Sequence, residues 1–120
     1  MAEVLALMDD LFFQAKLAET AKQLGVEVRV CGTPDALVAE FTKAATKLVI
    51  VDLNARNAPL DAVARLQSTS RGIPLVAFLS HVQTDLAERA RAAGCTEVMP
   101  RSQFSRELAT ILSRAKSESK

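Results

Sequence analysis

The sequence predicts an α/β fold: one domain over residues 1–120, built as a doubly wound, five-stranded parallel sheet. Three observations predict it. Val4-Leu5-Ala6-Leu7-Met8 and Lys47-Leu48-Val49-Ile50-Val51 are continuous apolar runs that read as strands buried on both faces. Strand-like and helix-like segments alternate along the whole chain, which gives five βα units with right-handed crossovers. Both apolar runs stop at acids, Asp9-Asp10 and Asp52, where strands of such a sheet meet solvent.

Each element has its own signal. Phe13, Leu17, Ala21 and Leu24 recur at helical spacing, and Gly25 ends that first helix. Val26 to Cys31 alternates apolar and polar residues, as a half-exposed strand at a sheet edge does. Thr33 is a helix N-cap with Pro34 at the first helical position, and Leu37, Val38 and Phe41 carry that helix. Lys47 to Leu53 is the buried third strand, and Asn54 to Asn57 is a polar turn. A third helix starts at Asn57 or Ala58, turns Leu60, Val63, Ala64 and Leu66 inward, and ends at Arg71-Gly72. Pro74 opens a fourth strand over Leu75 to Leu79, and Asp85 to Ala93 is a short helix followed by Gly94. Glu97 to Pro100 is a brief fifth strand, placed at an edge because Pro100 has no N–H to donate. Ser102 or Ser105 caps a last helix with Phe104, Leu108, Ile111 and Leu112 inward, and Ala115 to Lys120 is a polar tail.

Composition narrows the function. The chain has 120 residues, with 15 basic and 14 acidic ones and a net charge of +1. That balance carries no footprint for nucleic acid or an anionic membrane. No apolar run is long enough to span a bilayer. The start of the chain lacks a basic segment and its apolar stretch breaks at Asp9, so no signal peptide and a cytoplasmic location are expected. Cys31 and Cys95 form no metal or redox spacing and are expected to be reduced, buried and unpaired. Phosphate loops and dinucleotide fingerprints are absent, and the chain has no Tyr or Trp, so an enzyme of these classes is not expected. His81 follows Ser80 with no nucleophile or orienting partner at recognisable spacing and reads as a loop histidine.

The acids carry the site. If the first and third strands are parallel neighbours, Asp9, Asp10 and Asp52 meet at one edge of the sheet. Crowded carboxylates repel and raise one another's pKa. A cation relieves this, and oxygen ligands suit Mg²⁺. Two plainer readings stand beside it. Asp9 and Asp10 can cap the first helix and hold loop backbone. Arg56 and Arg101 can neutralise the carboxylates as a fixed ion-pair cluster without metal.

The acidic pair after the first strand, the Asp after the third and the five βα units resemble the receiver domain of bacterial two-component response regulators. The resemblance covers nearly the whole chain. It implies a flavodoxin-like (βα)5 fold with strand order 2-1-3-4-5. It implies Asp52 as phosphoacceptor, Asp10 as a direct Mg²⁺ ligand, Asp9 acting largely through water, and the backbone carbonyl of Asn54 completing the set. Arg101 stands where the family carries a lysine, and Ser102 where it carries a proline. Leu79 falls on the family's hydroxyl position with Ser80 one residue later, and Val98 falls on its aromatic switch. The Pro and Gly usual after the phosphoacceptor are absent from Leu53 to Asn57. The expected protein is therefore an atypical receiver of a phosphorelay, with Mg²⁺-assisted phosphoryl acceptance at Asp52 in altered form. The competing reading is an interaction module that works without phosphorylation.

Output is expected through contact with a sensor kinase, a downstream protein or a second copy. The resemblance points to the face of the fourth helix, fifth strand and last helix. Asp85, Glu88, Arg89, Arg91, Arg106 and Arg114 would make that face a mixed-charge, Arg-rich surface.

Overall fold

A computed structural model describes residues 4–43, 46–56, 58–69, 73–80 and 84–117. Asn57, Arg71, Gly72 and His81 lie outside the described residues, as does the tail beyond 117.

The strands are β1 (Val4–Leu7), β2 (Val28–Cys31), β3 (Leu48–Asp52), β4 (Leu75–Leu79) and β5 (Glu97–Pro100). They form one parallel sheet in the order β2-β1-β3-β4-β5. This is the order expected from the resemblance. The helices are α1 (Leu11–Leu24), α2 (Pro34–Lys43), α3 (Pro59–Thr69), α4 (Thr84–Ala93), α5 (Arg101–Arg106) and α6 (Leu108–Ser117).

Strand alternation divides the core into two layers. Val4, Ala6, Leu48, Ile50, Val76 and Phe78 face α1, α5 and α6, where Leu17, Phe104, Ile111 and Leu112 meet them. Leu5, Leu7, Val49, Val51, Ala77 and Leu79 face α2, α3 and α4, where Leu37, Val63, Leu66 and Ala90 meet them. β1, β3 and β4 are buried along their whole length, which is why they read as unbroken apolar runs. β2 and β5 are the edges, and both are only partly buried.

Caps fix the helix ends near the site. Asp10 caps α1 by accepting from the Phe13 N–H at 3.1 Å. Gly25 ends α1 at φ 73, a left-handed conformation that suits glycine. The Thr33 hydroxyl accepts from the Ala36 N–H at 3.0 Å, so α2 starts as expected.

The ends of β3, α3 and α4 lie one or two residues from the expected bounds, and four further details differ. β2 begins at Val28, because the Val26 N–H still closes the end of α1 on the Ala21 carbonyl at 2.9 Å. In α3 the buried residues are Ala62, Val63 and Leu66, while Ala64 is exposed. Two residues are about 200° of helix rotation, so Ala62 and Ala64 lie on opposite faces. The last helix is two pieces separated at Glu107, whose N–H bonds Gln103 O at 3.0 Å while its carbonyl accepts from the Ile111 N–H at 2.9 Å. Finally, α5 starts at Arg101 directly after Pro100, with no side-chain cap, so neither Ser102 nor Ser105 caps it.

Candidate functional site

Register brings the acids together. Leu7 pairs with Val51, so Asp52 and the Met8-Asp9-Asp10 segment leave the sheet side by side. Asp52 lies on the same strand face as Leu48 and Ile50, toward α1 and α5. It is 2% exposed, and Asp52 and Thr46 are the buried polar residues among those described. A carboxylate held this deep needs partners.

It has two. Asp52 Oδ1 accepts from the Asn54 N–H at 2.9 Å, and Oδ2 lies 3.3 Å from Arg101 Nη2. The other fork of the same guanidinium, Nη1, lies 3.2 Å from Asp10 Oδ2. Asp10 therefore does two things: Oδ1 caps α1 and Oδ2 pairs with Arg101. Asp9 is exposed, and its Oδ2 accepts from the Arg56 N–H at 3.0 Å, which ties the β1–α1 link to the β3–α3 loop. Arg56 thus serves through its backbone. Among the described residues, Arg101 makes the site's only ion pairs.

Burial pushes the Asp52 carboxyl above its ordinary value, and the nearby Asp9 and Asp10 charges push the same way. The Asn54 N–H and the Arg101 charge pull it down without cancelling the rise. The expected repulsion is present, but burial is the larger cause of the rise.

The guanidinium is also held from below. Its centre lies 5.0 Å from the Phe13 ring and 5.2 Å from the Phe78 ring, in cation–π range. Phe78 stacks on Phe104 with ring centres 4.5 Å apart. The aromatic cluster under the site is therefore part of the core.

The remaining expected positions divide. Leu79 is buried in the α2–α4 layer and does not reach the carboxylates. Ser80, just past β4, donates its hydroxyl to Asn54 Oδ1 at 2.8 Å, and its N–H bonds the same oxygen. The Ser80 hydroxyl is thus tied to the loop that follows Asp52. Val98 is half-buried against the α2–α4 layer. The Asn54 side-chain link to Ser80 is a feature the sequence reading missed. Its signal was available: in the adjacent strands, β3 ends two residues before Asn54 and β4 ends one residue before Ser80.

A groove of about 510 Å³ opens beside the carboxylates, lined among others by Asp10, Phe12, Lys16, Ser80, Arg101 and Ser105. Lys16 Nζ donates to Ser105 Oγ across it. Leu11 and Phe12, at the start of α1, are 76% and 92% exposed.

No three His, Cys, Asp or Glu side chains among the described residues are grouped to hold a metal ion. Mg²⁺ needs less, one or two carboxylates with water and substrate oxygens completing its shell. Asp10 and Asp52 provide two, both paired with Arg101. The donor chemistry fits the ion. Cys31 and Cys95 are buried and unpaired. Among the described residues no helix is long and apolar enough to cross a membrane.

No protein-family model matches the chain, and no curated protein matches it. Solved structures do. The chain is similar to the receiver domain of NtrX from Brucella abortus, with TM-score 0.80 and 20% identity over 97% of this chain and 99% of that one. It is similar to the chemotaxis response regulator CheY4 of Vibrio cholerae, with TM-score 0.79 and 23% identity over 96% and 98% of the two chains. A response regulator receiver domain protein from Clostridium thermocellum gives TM-score 0.81 and 16% identity over 98% and 96%. The chain spans 28% of the longer NtrX chain. The fold is that of the response regulator receiver domain.

Proposed function

We propose that this domain is a receiver-type signalling module of a two-component phosphorelay, with Asp52 as the residue that accepts the phosphoryl group. One observation carries the reading. Asp52 is a buried carboxylate at the carboxyl end of the central strand of a receiver fold, beside Asp10 and in reach of Arg101.

In the transfer, an Asp52 oxygen attacks the phosphorus of the donor. The bond from phosphorus to the donor's leaving group breaks, and that group departs with the electron pair. Oδ1 holds the loop through the Asn54 N–H, so Oδ2 is the oxygen that serves, once Arg101 draws back from it. Asp10, Asp52 and the Asn54 carbonyl would hold Mg²⁺, with Asp9 acting through water. Bound there, the ion neutralises charge on the transferring phosphoryl oxygens. Arg101 then pairs with the phosphoryl oxygens, which its planar fork suits. Output is a contact with a partner protein, through the face that includes α4 and α5.

A specific observation favours a second reading. Both Asp52 oxygens are already engaged and the residue is buried, so the site is satisfied as it stands. That suits an interaction module that works without modification. Acetyl phosphate with Mg²⁺, followed by intact mass, separates the two. The first reading expects a slow gain of one phosphoryl group by the wild type and none by Asp52→Asn. No gain by the wild type supports the second.

A further inference from the structure

We infer that Arg101 is a built-in competitor for the cation of this site, and that its grip on Asp10 and Asp52 sets how tightly the domain binds Mg²⁺. The inference deepens the proposed function and rests on its metal-binding part.

The guanidinium takes both carboxylates that the ion requires. Nη1 is 3.2 Å from Asp10 Oδ2 and Nη2 is 3.3 Å from Asp52 Oδ2. A planar fork can engage two separate carboxylates at once, where an ammonium acts as a single point charge. The rings of Phe13 and Phe78 hold the same group from the core side, at 5.0 and 5.2 Å. These rings are fixed: Phe78 stacks on Phe104, and the Phe13 and Phe104 centres lie 5.7 Å apart. An ion entering between Asp10 and Asp52 must break both ion pairs, and it gains nothing from the rings.

Displacement is nonetheless possible in space. The Arg101 side chain is 28% exposed and borders the groove that Ser80 and Ser105 also line. The released guanidinium has room to swing there and keep its hydration. Arg101 is also the first residue of α5, directly after Pro100. Ion entry therefore acts on the residue that joins β5 to α5. The competition couples the charge of the acidic cluster to the start of that helix.

The test titrates Mg²⁺ alone, without a phosphodonor, into the wild type, Arg101→Lys and Arg101→Gln. Amide NMR shifts of residues 9–11 and 52–55 report binding, and thermal melts confirm that each variant is folded. Arg101→Gln is expected to bind Mg²⁺ about tenfold tighter than the wild type, the scale of one charge interaction at a partly screened site. Arg101→Lys is expected between the two, and carries the comparison if the glutamine variant does not fold. Equal or weaker binding in the folded variants overturns the inference, and so does the absence of Mg²⁺ shifts in every protein. No phosphodonor is present, so this outcome is separate from whether Asp52 accepts a phosphoryl group. Tighter metal binding without Arg101 can coexist with no mass gain on acetyl phosphate.

Discussion

Arg101 and Asp52 lie 49 positions apart in the chain and meet at 3.3 Å, with Asp52 buried and Arg101 at the head of α5. This contact joins the central strand to the edge of the domain. It also decides how the acidic cluster behaves when either residue changes.

Arg101→Ala removes the counter-charge of both Asp10 and Asp52 and is expected to destabilise. Breaking a buried pair by removing one partner costs about 3–5 kcal/mol. Arg101 is partly exposed, so about 1–3 kcal/mol is expected here. The loss should shrink when Asp52 is already Asn, because the charge left without a partner is then gone. A double-mutant cycle by urea melts measures the coupling, expected on the order of 1 kcal/mol. Equal losses in the two backgrounds would show that Arg101 acts through Asp10 or packing alone.

Asp52→Asn is expected to raise stability near neutral pH. The folded-state pKa of Asp52 is raised, chiefly by burial. Such a group binds its proton more tightly in the folded chain than in the unfolded one. Its contribution to stability is fully present below the ordinary value of 3.8 and is lost as pH rises through the raised folded value. Asparagine keeps an acceptor for the Asn54 N–H and carries no charge, while Arg101 retains Asp10. Melts at several pH values should show the variant above the wild type at pH 7, with the gap closing in acid. A lower melting temperature at every pH would show that the Arg101 pair outweighs the burial cost.

The two thiols should be slow to react. Burial pushes the Cys95 thiol up to about 11 and raises Cys31 as well, so neither is a thiolate at pH 8. Native protein should take up a thiol reagent much more slowly than protein in denaturant. Rapid labelling of the native protein at both positions would contradict the buried placement.

Much of this was legible because the core strands carry their pattern in full. β1, β3 and β4 are buried on both faces, so continuous apolar runs marked them, and the acids at the ends of the first and third runs marked the sheet edge. β5 was bounded correctly because Pro100 punctuates it. What failed was local. Ala62 and Ala64 have similar side-chain chemistry, so only packing against β3 and its neighbours decides which is buried. The start of α5 was placed on serines by capping preference. In the fold Arg101 begins the helix beside two carboxylates, and Ser105 accepts from Lys16 instead. The choice between a metal and an arginine fork was visible as an alternative. Only three-dimensional placement shows that Arg101 reaches both Asp10 and Asp52 while Arg56 lends its backbone N–H.

Partner contact is expected through helix faces. Arg91 on α4 and Arg106 on α5 are exposed, and Pro100 spoils β5 as a template for strand addition. Binding to a partner or a second copy should weaken as salt rises. Arg91→Glu with Arg106→Glu should abolish it in sedimentation or pull-down. Unchanged association in that variant would place the contact elsewhere.

The central claim is that Asp52 takes a phosphoryl group and that the response begins at Arg101. It is tested most directly by amide NMR of the wild type in Mg²⁺ before and after acetyl phosphate, with Asp52→Asn as control. Slow shifts confined to residues 52–55, Ser80 and 100–102 are expected, with little spread across α4 and no change in the control. No new shifts in the wild type, or the same shifts in Asp52→Asn, would contradict the claim.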